Sequence, residues 1–166
     1  MYPPRLKLLS FVVFLSAVLL PSTGCHPRGP QSVIRMSDLH TQKQLMSGFY
    51  ELEAGAWRWT AKAFTVSLKV PNDAASKGAV LILQGTIVPD ALANGPLEVS
   101  SSVEGTPLTS QSFSKSGEMI YRVDVPATAL QRPVVIVKFV LSATHRVPGD
   151  LRDLGVISSV ISLRSK

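Results

Sequence analysis

The side chains in this chain that could carry out chemistry are few: eleven carboxylates, three histidines and a single cysteine among 166 residues. Two carboxylate pairs lie close in sequence, Glu51 with Glu53 and Asp150 with Asp153. A glycosidase needs its two carboxyl groups held a set distance apart across the scissile bond, and proximity in sequence does not provide that. On an extended segment Glu51 and Glu53 simply share a face. His26, His40 and His145 lack the His-x-x-x-His or cysteine spacing of a zinc site. Asn72-Asp73, Asp90 and Asp124 are too scattered to concentrate oxygens around calcium. No Gly-x-Ser-x-Gly elbow or phosphate-binding glycine loop is present. The reading is therefore of a non-enzyme that uses no metal and no cofactor.

Recognition is a better use of what the sequence does concentrate. Residues 48–60, GFYELEAGAWRWT, hold both tryptophans with Glu51, Glu53 and Arg58. On a strand, Trp57 and Trp59 share one face and Arg58 takes the other. Trp59 is expected in the core. Trp57, nearer the Ala54-Gly55-Ala56 turn, is expected to be partly exposed, where its ring could stack on the C–H face of a sugar. Trp57, Tyr50 and Arg58 are the candidate ligand-binding residues. The expected spatial partner is residues 150–156, DLRDLGV. If the two segments meet, Glu53, Arg58, Asp150 and Arg152 form a polar cluster pinning the ends of the domain together.

These two stretches carry a resemblance. Gly48-Phe49-Tyr50-Glu51-Leu52-Glu53 followed by Trp57-Arg58-Trp59-Thr60 looks like the opening of a bacterial β-sandwich module appended to glycosyltransferases and other surface-polysaccharide proteins. Asp150, Arg152, Leu154 and Gly155 match its closing Asp-x-Arg-x-Leu-Gly. The chain departs from that pattern at His145, where the family has an aromatic residue. The resemblance spans residues 48–163 and implies a jelly-roll-like accessory domain; it does not carry over a ligand.

The elements that position these residues follow an export segment. Arg5 and Lys7 precede an apolar run at 8–20, long enough for a signal-peptide core and too short for a comfortable membrane span. Pro21-Ser22-Thr23-Gly24-Cys25 then resembles a bacterial lipobox, with Gly24 and Thr23 fitting and Ser22 standing in for the usual leucine. Residues 1–24 are thus expected to be a signal peptide and Cys25 a lipidation site; ordinary cleavage nearby and an uncleaved anchor are the alternatives. Residues 25–47 open with His26-Pro27-Arg28-Gly29-Pro30, suited to an extended tether. The apolar residues at 33–46 show no clean period, so this stretch reads as linker with one short helix capped by Ser37; His40 is expected to be exposed.

From residue 48 onward the useful period is two. Phe64, Val66, Leu68 and Val70 form one inward set. Leu97, Val99, Ser101 and Val103 form another, as do Met119, Tyr121, Val123 and Val125, and then Val135, Val137, Phe139 and Leu141. Residues 80–84 read as an evenly buried strand, 88–96 as a loop, 108–113 as a returning strand and 156–163 as the closing strand. About eight short strands with Pro/Gly turns and almost no helix imply an all-β, antiparallel, jelly-roll-like β-sandwich over 48–166, with a small open barrel as the alternative. Formal charge is +6, of which Arg5 and Lys7 carry two. No basic run or basic-aromatic array marks a nucleic-acid surface. The expected role is a lipid-anchored protein of the bacterial envelope, at its periplasmic or outer face, with a recognition domain for glycan. The alternative is a structural or assembly lipoprotein that binds another envelope protein.

Overall fold

The computed structural model describes residues 29–166. The export segment, Cys25 and His26 lie outside the described residues. The described chain is all β, with ten strands: β1 Val33–Arg35, β2 Leu45–Glu53, β3 Trp57–Lys69, β4 Ala79–Ile87, β5 Leu97–Val103, β6 Thr106–Pro107, β7 Gln111–Phe113, β8 Gly117–Val125, β9 Val134–Leu141 and β10 Ile157–Ser165. A single α-helical turn, Ala74–Lys77, and three 3-10 turns complete it.

The strands form one antiparallel sheet in the order β6-β5-β9-β3-β10-β4-β8, with β2 along β3, β1 along β10 and β7 along β5. Strand β3 turns the corner between two layers. Its first residues pair with β10 and its last seven with β9, while β2 follows its other edge. The sheet curls until its far ends face each other. The Tyr121 hydroxyl on β8 meets Ser101 Oγ on β5 at 2.8 Å and donates to the Thr109 carbonyl at 2.9 Å. The Gln111 side chain on β7 covers the open edge of β8, donating to Arg122 O at 2.8 Å and accepting from Arg122 N at 3.1 Å.

Period-two patterning places the core between these layers, as the sequence implies. Phe64, Val66 and Leu68 face Val135, Val137, Phe139 and Leu141, with Tyr121, Val123 and Val125 from the opposite layer. Phe64 and Phe139 stack at 4.9 Å, and Tyr121 meets Phe139 edge-on at 6.1 Å. Ser101 interrupts its apolar row only to serve the Tyr121 hydroxyl. Gly85 on β4 is required: a Cβ there would strike the Ile157 carbonyl, where β10 enters beside a register shift.

The folded body begins earlier than residue 48. Val33–Arg35 pairs with β10 along the stretch that β3 leaves free, burying Ile34 and Met36. The Gln44 amide, itself buried, accepts from Gln31 N at 2.9 Å and donates to Gln31 O and Ser67 O at 2.9 and 2.7 Å. Residues 31–47 are thus part of the domain and not a linker. The short helix is a 3-10 turn, Leu39–Gln44, capped by Asp38 and not by Ser37. A strand of three residues is too short to show a period, and polar clamps give no apolar pattern, so neither signal is present in the sequence.

Candidate functional site

Strands β2 and β3 are joined at Ala54-Gly55-Ala56, where Ala54 and Gly55 take positive φ and Ala56 N donates to Glu53 O at 3.0 Å. Against this hairpin lies the connection from β9 to β10. His145 and Leu154 exchange both backbone hydrogen bonds at 2.9 Å, closing residues 146–153 into a loop. Its base is fastened to β3: Gly155 N donates to Thr60 O at 2.7 Å, Thr60 N to Val156 O at 2.9 Å, and Val156 N to Thr60 Oγ1 at 3.1 Å. Gly155 allows this approach, since a Cβ there would crowd Thr60 Oγ1 and Leu141. The two motif segments therefore meet at one end of the sandwich.

Arg152 organises the polar side of that end. Its guanidinium donates to Glu53 Oε1 at 2.9 Å and to Asp150 Oδ2 at 2.7 Å, and it lies 5.3 Å from the centre of the Tyr50 ring. The Tyr50 hydroxyl donates to Asp153 O at 3.0 Å. Arg146 pairs with Asp153 at 2.6 Å. Glu53, Asp150 and Arg152 are thus brought together with Tyr50. The hydrogen bonds from Arg152 hold the Asp150 carboxyl below the usual range, and those from Arg146 do the same for Asp153. Both guanidinium groups are correspondingly harder to deprotonate.

Trp57 and Trp59 share a face, with rings edge-to-face at 6.0 Å. Trp59 is buried between Trp57 and His145, whose ring lies 5.4 Å away; Trp57 is partly exposed. Trp57 is the cross-strand partner of Glu53, so its ring rises on the side where Arg152 binds.

Arg58 does not join the cluster. It is buried on the opposite side of β3 and, among the described residues, donates only to the Tyr50 carbonyl, at 2.9 Å. Alternation explains the opposite face. Burial follows because β2 and β10 flank β3 on both edges here. His145, which a stretch rich in proline and glycine would be read to leave solvated, is buried and packs on Trp59. Its place in a proline-glycine loop gave no sign of this. It stands where the resembling family has an aromatic residue, and that position was the available signal.

No protein-family model and no curated protein matches the chain. Solved structures do. A family GH115 4-O-methyl-α-glucuronidase with specificity for decorated arabinogalactans aligns at TM-score 0.55 and 11% identity, over 84% of this chain and 18% of that one. This chain therefore spans less than a fifth of that enzyme. A family 35 carbohydrate-binding module from an environmental isolate aligns at TM-score 0.45 and 10% identity, over 81% and 93% of the two chains. Latent PorU from Porphyromonas gingivalis aligns at TM-score 0.43 and 14% identity, over 63% and 10%. The first of these likenesses shows a shared β-sandwich fold.

Proposed function

We propose that this protein is a non-catalytic, lipid-anchored recognition protein of the bacterial cell envelope and that its ligand is glycan. The observation that carries this reading is Trp57: a partly exposed indole, braced edge-on by Trp59, beside the hydrogen-bonding groups of Glu53, Tyr50 and Arg152. An apolar ring face with convergent polar groups suits a sugar. Asp150 and Asp153 serve as ion-pair partners, which fits binding better than hydrolysis. The fold shared with part of an enzyme for decorated arabinogalactans is in keeping with that ligand class.

Orientation supports the same reading. Gln31 O accepts from Lys69 N at the far end of β3, so the described chain begins twelve residues along that strand from Trp57. At about 3.3 Å per residue the path along this bent strand is about 40 Å, an upper limit on the separation. A lipid on Cys25 would leave Trp57 at the end facing away from the membrane. Cys25→Ala should move the protein from the membrane to the soluble fraction. Unchanged membrane association, with no acyl chain on the wild-type protein by mass spectrometry, refutes the anchor.

The test of the ligand is an array of envelope glycans probed with the full chain and with Trp57→Ala. Retention by the wild type and loss in the folded variant are expected. One observation favours a protein partner instead. Among the described residues strand β8 pairs only with β4, its outer edge is covered by a side chain at Arg122, and Ile120 on it is exposed. An added strand could pair there. A pull-down from membranes that captures a protein through β8, with an empty glycan array, decides for assembly.

A further inference from the structure

Among the described residues Arg58 is the only buried lysine, arginine, aspartate or glutamate, at 6% exposure. No carboxylate pairs with it there. One Nη donates to the Tyr50 carbonyl; Nε is buried with no partner. Burying a charge without an opposite charge is unfavourable and calls for a counter-group. A second unpartnered atom lies across the strand pair from Arg58, outside the lining of the surface pocket that Arg58 reaches. Ser158, directly opposite Arg58 on β10, is fully buried with a hydroxyl that bonds to nothing among the described residues. Cross-strand partners present their side chains on one face.

Arg58 also reaches the wall of a surface pocket of about 260 Å³, shared with Gln42, Ser47, Phe49 and Glu51. We propose that this pocket binds the carboxylate of an acidic sugar, with Arg58 as its anchor. Nε–H and the free Nη–H lie side by side on one edge of the guanidinium and match the two oxygens of a carboxylate. The Gln42 amide and the Ser47 hydroxyl suit ring hydroxyls, and Phe49 offers an apolar face. These neutral groups favour a sugar over an acidic peptide, whose further charges Glu51 would repel. Nε is shut off from solvent in this structure, so a ligand reaches it only if the rim side chains Glu51 and Met46, both exposed, turn outward. The ligand class rests on the glycan reading; the site does not, because Trp57 lies on the other face of β3.

The experiment follows the Arg58 Nε–H signal by nitrogen-15 NMR in the full-length protein, titrated with galacturonate, galactose and acetate. A saturable shift with galacturonate, none with galactose and a weaker one with acetate are expected. Arg58→Lys should lose the fork and weaken galacturonate binding roughly 10–100-fold. Should that variant not fold, Glu51→Gln serves, since its position is exposed: one negative charge fewer at the rim should tighten galacturonate binding several-fold. Weaker or unchanged binding in Glu51→Gln, no saturable response to galacturonate, or an equal response to acetate overturns the proposal. Trp57→Ala should leave the Arg58 response intact, which separates failure here from failure of stacking at Trp57.

Discussion

Replacing Trp59 by alanine and, separately, Trp57 by alanine should give two distinct outcomes. Trp59 is 9% exposed, held between Trp57 and His145. Truncation removes roughly 150 Å² of buried apolar surface, or about 4 kcal/mol at about 25 cal/mol/Å². A compact unfolded chain already hides part of that area, which brings the figure to about 3 kcal/mol, at the low end of the roughly 3–5 kcal/mol typical of hollowing a core at an aromatic. The low end is appropriate because Trp59 packs at the end of the sandwich, apart from the main core. Trp57, already partly exposed, should cost about half as much or less by the same proportion to area. Urea denaturation of both variants, followed by near-ultraviolet circular dichroism, measures the pair. Equal losses would show that Trp57 is core, and the platform for a sugar would fail. A Trp59→Ala loss below about 1 kcal/mol would show that the tryptophan–histidine packing contributes little, whatever its geometry.

Three further outcomes follow from the same contacts. Tyr121→Phe should destabilise by about 1–3 kcal/mol in chemical denaturation, because it strands Ser101 Oγ and Thr109 O where the two layers meet. Burial raises the Tyr121 pKa above 10.0, partly offset by the Ser101 hydrogen bond. The associated stability is complete below that value and is lost as pH rises through the folded pKa, so wild type should weaken in alkali more steeply than Tyr121→Phe. Asp150, held below 3.8 chiefly by its side-chain hydrogen bond from Arg152, gives the reverse dependence: its contribution is present above that value and fades as pH falls below it. Asp150→Asn should flatten this acid limb in a pH-melting series. Gly85→Ala should disrupt the β4–β10 pairing by driving a Cβ into the Ile157 carbonyl, and amide exchange across 79–87 should accelerate; unaltered protection there would contradict the close approach.

What could be read in advance divides along a physical line. Where a strand buries one face over several residues, the sequence repeats the instruction at every second position; β5, β8 and β9 came through with their inward sets intact. Where burial is imposed by a distant segment, one residue carries no record of it. Arg58 reads as an outward charge because Trp57 and Trp59 read inward, yet β2 and β10 enclose it from both edges. Three-residue β1 and the Gln44 clamp are invisible for the same reason, since one partner of Gln44 is Ser67, twenty-three residues away. That Glu53, Asp150 and Arg152 would meet, with Trp57 across from Glu53, was legible. Arg58 stood among the candidate ligand-binding residues, but its burial without a carboxylate partner was not legible. A sequence can show that a charge exists, but only the packed structure shows that it is buried without an opposite charge beside it.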